Sequence, residues 1–236
     1  MRLPLLLILG AVALNAGIYK AKVEPYESYT VAAEAKGRIV ALDINDELTT
    51  VSKEVLTIDH ALESLQLKNL KSKLHAMNRQ LAIKSDQNQR IQKVSAKSRF
   101  EKEQSELDLW NFKAQVIELK NSIAALEDTL DKKRLRVNNC YLKKLYVRQH
   151  EYVVPGSKLL QCEDHTRQRL VLYAEAEEIK AIESKKILID GSDTHGFEIE
   201  KVAASTDETY ISAYRIELVG KSARRFGAML TVEIKE

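Results

Sequence analysis

From Arg38 to Val154 the chain contains neither glycine nor proline, so it lacks the strongest local breakers of regular structure. Within this stretch apolar residues recur at alternating steps of three and four. The first series is Leu67, Leu70, Leu74, Met77 and Leu81, and it reaches Ile91 after Lys84 and Asn88. The second is Leu109, Phe112, Val116, Leu119, Ile123, Leu126 and Leu130, and it passes Lys133 to Val137. A mean spacing of 3.5 residues keeps one seam of a helix facing a partner helix, as in a coiled coil.

The seam's phase admits two architectures. Continued from Ile91, it runs through Ser95, Ser98, Lys102 and Ser105 and lands on Leu109. One unbroken rod of about 75 residues would be about 110 Å long at about 1.5 Å per residue. A hairpin turning near Ser95 to Ser98 would have arms of roughly 50 Å. The polar middle of the seam favours the hairpin, because a rod would bury little there. The flanking segments favour it too. Val31 to Asp59 and Val137 to Asp164 both read as short strands, with Ile39 to Ile44 and Lys144 to Val147 alternating in period two. Pro155-Gly156 marks a turn. Each flank holds about 30 residues, too few to bury a core alone, so the two halves are expected to pack together, which requires the helices to return.

From Arg169 a further all-β region follows. Tyr214, Ile216, Leu218 and Leu230, Val232, Ile234 alternate with polar residues, as in a small antiparallel barrel or sandwich. A short helical patch is expected at Glu177 to Glu183. At the other end, Arg2 precedes an uncharged run from Leu3 to Tyr19, closed by Lys20 and Lys22. This fits either an uncleaved membrane anchor, the preferred reading, or a signal peptide. Both send the rest of the chain across the inner membrane. The expected class is thus α+β: an N-terminal anchor or signal at 1–22, a β-domain split between 26–59 and 137–164, a coiled-coil hairpin at 60–136 with its tip near 95–98, and a small β-barrel at 165–236.

Composition excludes several functions. A net charge of +3, with 37 basic and 34 acidic residues, argues against nucleic-acid binding. The histidines at 60, 75, 150, 165 and 195 form no ligand spacing, and no phosphate-cradling loop or nucleophile elbow occurs. No cofactor, metal or catalytic residue is expected. Lys143 and Lys144 stand near an expected turn, but a swinging-arm carrier is disfavoured because the helices separate the half-domains. Cys140 and Cys162 are taken as buried free thiols.

In its order of parts the chain resembles the periplasmic adaptor, or membrane fusion protein, family of tripartite efflux pumps and type I secretion systems. Val31 to Val40 is similar to the opening of that family's lipoyl-like half-domain. Ser52 to Asp59 resembles its close, with Glu54 where a glycine is usual. Glu151 to Leu160 resembles the close of the second half, and Arg225 to Val232 the last barrel segment. Asn138-Asn139 and Leu142-Lys143 replace the Ala-Pro and Asp-Gly that usually open the second half. The resemblance implies an adaptor between an inner-membrane transporter and an outer-membrane channel, self-associated into a ring and attached to the membrane by its N-terminus. The family's channel-docking pattern is Arg, Leu four residues on and Ser eleven on; the matching positions are Arg90, Val94 and Glu101. With Ser95, Lys97, Ser98, Arg99 and Phe100 these form the expected partner-binding tip. The family's membrane-proximal domain is expected to be absent, which favours an ABC-type or major-facilitator transporter. The competing reading is a membrane-anchored structural rod without a transport role.

Overall fold

The computed structural model describes residues 17–180, 182–193, 196–221 and 224–235. In chain order it contains β1 (Gly17–Lys22), β2 (Glu24–Ala32), β3 (Gly37–Leu42), β4 (Thr50–Ile58), α1 (Ala61–Lys93), α2 (Arg99–Lys132), β5 (Arg134–Leu145) and β6 (Tyr152–Val153). Then follow β7 (Lys158–Glu175), α3 (Ala176–Ile179), β8 (Lys186–Ile189), β9 (Ser192–Asp193), β10 (Phe197–Thr206), β11 (Ala213–Lys221) and β12 (Met229–Lys235). The fold is α+β, with an α-hairpin between strands. The described residues divide into two compact units: 30–161 form one, and the described residues before and after them form the other.

In the hairpin-bearing unit, β3 and β4 pair antiparallel, and β4 pairs in turn with β5. The register sets Thr57 opposite Arg134 and Leu56 opposite Leu135. The Ile58 N–H donates to the Lys133 carbonyl at 2.8 Å. The chain therefore leaves the sheet after β4 and re-enters it beside the point of departure, which rules out the single rod. Ile39, Leu56, Ile58, Val147, Val153 and Leu159 close a common core from both sides of the insertion. Each large apolar side chain buried there contributes about 1.5–3 kcal/mol. Neither flank holds enough of these residues to fold alone. The Pro155-Gly156 turn supports this packing directly. Ser157 N–H donates to the Val154 carbonyl at 2.9 Å, and Gly156 N–H to that of Ala33 at 2.8 Å. Gly156 has φ +89°, the positive value this turn position demands.

In the other unit, β12 lies between β1 and β8, and β11 between β10 and β7, all antiparallel. The alternation read from the sequence is present as burial: Ile216, Leu218 and Val232 are fully buried, with Leu170, Leu172 and Ile189 in the same core. The helical patch is present as α3 and a following 3-10 turn at Ile182–Ser184.

Two expectations are corrected. Gly17–Lys22, assigned from sequence to the end of the anchor or signal, is strand β1, paired with β12 from Gly17 opposite Ile234 to Lys22 opposite Met229. The apolar run and the alternating strand overlap here, and hydropathy alone does not separate them. The remainder of that assignment, residues 1–16, lies outside the described residues. Among those described, no helix is long and apolar enough to cross a membrane.

The second correction concerns the thiols. Neither Cys140 in β5 nor Cys162 in β7 is a free thiol; both are disulfide-bonded. By removing loop freedom from the unfolded chain, such a crosslink stabilises the fold by about 3 kcal/mol. Cys140→Ala with Cys162→Ala is expected to lower the unfolding free energy by about that amount, read from the urea midpoint. An unshifted midpoint would show that the bond does not constrain the unfolded chain.

Candidate functional site

α1 and α2 form the two arms of the helical hairpin. Good helix formers fill α1, and most of its apolar residues keep to one stripe, with Leu62, Leu65 and Ile83 exposed off it. Leu67, Leu70, Leu74, Met77, Leu81 and Ile91 are each half-buried, and no α1 residue is fully buried. In α2, Leu109, Val116, Leu119 and Ile123 are buried, while Phe112, Leu126 and Leu130 are half-buried. Contacts between the arms fix their antiparallel register. Lys71 Nζ meets Glu127 at 2.6 Å, the Lys84 ammonium lies 5.6 Å from the centre of the Phe112 ring, and Gln92 Nε2 donates to the Lys102 carbonyl at 3.0 Å.

At the base, Lys133 closes the hairpin. It caps the C-terminus of α2, where a cation meets the negative end of the helix dipole. Its ammonium ion-pairs with Glu63 in the first turn of α1 and donates to the Asp59 carbonyl at 2.8 Å. The Lys133 side chain is 8% exposed and that of Glu63 27%. The hydrogen bond from Lys133 holds the Glu63 carboxyl below its ordinary range. From sequence Lys133 is simply a polar break in the seam; its partner lies 70 positions earlier.

At the other end, α1 stops at Lys93 and α2 starts at Arg99. Ser98 is the cap. Its hydroxyl accepts from Glu101 N–H at 3.2 Å, and the Glu101 carboxylate accepts from Ser98 N–H at 2.9 Å. This reciprocal capping box has the sequence signature Ser-x-x-Glu, a local signal separate from the apolar seam. Glu101, placed from sequence in the docking tip, thus has a structural task as well. Its carboxyl is pulled down from 4.5 to about 2, first by the hydrogen bond from Lys97 and then by those from Ser98. A lowered carboxylate stabilises the folded form above its unfolded pKa. That contribution is lost as pH falls from the ordinary carboxylate range toward 2. Ser98→Ala is expected to cost the hairpin about 1 kcal/mol and to shrink the loss of helical signal on acidification. An unaltered acid transition would show that the box does not hold the turn.

All the tip residues expected from sequence lie in this one end of the hairpin. The Arg90 side chain is 78% exposed and pairs with Asp86 at 2.7 Å. Val94 is the C-cap of α1 and is exposed, as is Phe100 in the first turn of α2. Lys97 pairs with Glu101, and Arg99 with Glu103. Ser95 and Ser98 lie in or at the connecting turn. Among the described residues no cluster of His, Cys, Asp and Glu is arranged to hold a metal ion. Lys143 and Lys144 lie within β5.

A two-arm helical hairpin standing between the halves of a β-unit, with further antiparallel sheets after it, is the fold of the periplasmic adaptor, or membrane fusion, proteins. Three solved structures illustrate the likeness. A putative efflux transporter from Bacteroides eggerthii DSM 20697 matches with a TM-score of 0.63 and 16% identity over 94% of this chain and 69% of that one. MacA from Actinobacillus actinomycetemcomitans gives 0.60 and 16%, over 94% and 78%. The membrane fusion protein Spr0693 from Streptococcus pneumoniae R6 gives 0.66 at 6% identity, over 93% and 98%. No protein-family profile and no curated protein sequence matches this chain. At these identities the likeness is one of fold.

Proposed function

We propose that this chain is a periplasmic adaptor: it joins an inner-membrane transporter to an outer-membrane channel, for efflux or secretion. One observation carries the reading. Arms of 33 and 34 residues, about 50 Å long, leave a β-unit and return to it, and the exposed turn between them bears Arg90, Val94 and Phe100. Such an arm buries too little to serve stability. It is suited to carrying a contact surface away from the body.

In this reading the strands flanking the hairpin are two lipoyl-like halves and the sheets after them a small β-barrel. The N-terminal residues tether the chain to the inner membrane, and the rest lies in the periplasm. The disulfide supports export, because such bonds persist in oxidising compartments. The chemistry is mechanical and non-enzymatic. Docking draws on several copies at one channel mouth, so weak contacts sum by avidity.

Affinity isolation of the full-length chain from mildly crosslinked cells tests the reading. The expected result is co-isolation of both an inner-membrane transporter and an outer-membrane channel. Recovery of neither would overturn it.

A further inference from the structure

A cleft of about 800 Å3 opens at the root of the hairpin, within the unit formed by residues 30–161. Its helical wall carries two ion pairs, Lys133–Glu63 and Lys132–Asp128. Its other wall is the loop after β2 and the start of β3, with Glu34, Lys36 and Arg38. Arg38 stands opposite Tyr152 of β6, so their side chains share one face of the sheet. Backbone bonds fix both walls. Asp59 N–H donates to the Arg38 carbonyl, Ile58 N–H to that of Lys133 and Gly156 N–H to that of Ala33, each at 2.8 Å. The Lys132 ammonium is held above its ordinary range, first by its hydrogen bond to Asp128; the Glu34 charge adds to this from the facing wall.

The cleft holds unused bonding capacity. An ammonium has three N–H groups. That of Lys133, whose side chain is 8% exposed, uses two of them, on Glu63 and on the Asp59 carbonyl. The third has no acceptor among the described residues. The side chains of Glu34, Lys36 and Arg38 and the Tyr152 hydroxyl have no hydrogen-bond or ion-pair partner among them either. Tyr152 and Leu62, each 66% exposed, and Pro155 give the cleft its apolar surface.

These features select a ligand chemistry. The two ion pairs cancel, and the cations Lys36 and Arg38 are matched by the carboxylates of Glu34 and Asp59. A formally charged ligand therefore gains from one sign and loses to the other within a few residues. A purely apolar ligand desolvates these groups without replacing their bonds to water. A neutral ligand rich in hydroxyls meets neither cost, because each hydroxyl both donates and accepts. It can serve the Glu34 carboxylate, the Arg38 guanidinium and the third Lys133 N–H alike. Where such a ligand also has a flat C–H face, the Tyr152 ring supplies an aromatic surface to receive it. We propose that this cleft binds a neutral saccharide, with Tyr152 as the stacking platform and Glu34, Arg38 and Lys133 as the hydroxyl partners. A free sugar and a segment of a longer glycan share this chemistry. The inference rests on the cleft alone and is independent of docking at the tip.

Saturation-transfer NMR on the full-length chain, in a detergent without a sugar headgroup, tests it. The probes are glucose, maltotetraose, N-acetylglucosamine and chitotetraose, with glucuronate and tetra-alanine as charged controls. Transfer to the ring C–H protons of at least one neutral probe is expected. Tyr152→Ala and Arg38→Ala should each weaken its binding about tenfold. Tyr152→Phe, which keeps the ring, should retain most of it. Trp110→Ala, which removes an exposed aromatic outside the cleft, should leave it unchanged. Tyr152 and Arg38 are exposed, so an unshifted urea midpoint shows that the loss belongs to the site and not to the fold. Both sources support the proposal and are told apart by length: a free sugar binds fully as the monosaccharide, whereas a glycan segment binds more tightly as the tetramer. No transfer to any neutral probe, equal binding by Tyr152→Ala, or binding of glucuronate or tetra-alanine alone would each overturn it.

Discussion

A chain carrying Arg90→Glu with Val94→Asp is expected to fold normally and to transport nothing. Both side chains point into solvent at the end of the hairpin, 78% and 45% exposed. Neither belongs to the buried part of the seam. The Arg90–Asp86 contact is an exposed i,i+4 pair, worth about 0.3–0.5 kcal/mol, so the stability change should stay within about 1 kcal/mol. The effect on docking is of another size. In the adaptor reading each copy loses a positive charge and an apolar side chain, gains two negative charges, and would repeat the loss at every tip that faces a channel. Under avidity such losses multiply. The measurement is complementation of a deletion strain, scored by whatever phenotype the deletion produces, with helical content and abundance of the variant as controls. Full complementation at normal abundance would remove the tip from the mechanism.

Glu63→Ala is the corresponding change at the base, and its effect is on stability. Lys133 is almost fully buried, and Glu63 supplies its counter-charge. Removing Glu63, itself partly exposed, leaves the Lys133 ammonium with the Asp59 carbonyl, which costs about 1–3 kcal/mol. Glu63→Leu combined with Lys133→Met removes both charges and should recover most of that loss. The pair also predicts a pH dependence. The Glu63 carboxyl lies below its ordinary range because Lys133 donates to it. Its contribution is complete above the unfolded pKa, about 4.3, and is lost as pH falls through the lower folded value. In Glu63→Ala that part of the acid destabilisation should vanish. Urea unfolding at neutral and acid pH measures both effects. Equal acid sensitivity in wild type and variant would contradict the assignment.

The parts of this fold that are legible in the sequence are those written as period or as local chemistry. The 3,4 spacing from Leu67 to Leu81 and from Leu109 to Leu130 marks the residues that lie between the arms. Pro155-Gly156 turns where a proline followed by a glycine must. The alternation at Ile216 to Leu218 and Leu230 to Ile234 is the alternation of burial. What escaped depends on distance or on competing signals. Strand β1 is written in the same apolar letters as a membrane anchor, and its partner β12 lies at the far end of the chain. That Cys140 and Cys162 are disulfide-bonded is fixed by no local pattern. Lys133 interrupts a seam and gains its meaning from Glu63. The Ser98–Glu101 box was legible in principle, since Ser-x-x-Glu before an apolar-periodic run is a helix start. That signal lies in the turn that opens α2, off the apolar seam.

The most direct test of the adaptor reading is made at the turn itself. Single cysteines are placed at Ser95 and at Ser98 in the full-length chain, whose own thiols are already paired, and crosslinking is carried out in living cells. The account predicts that at least one position captures an outer-membrane channel, and that Arg90→Glu with Val94→Asp abolishes the capture. If neither position captures an outer-membrane protein and the double variant transports normally, the hairpin tip is not the docking site, and the adaptor reading loses the observation that carries it.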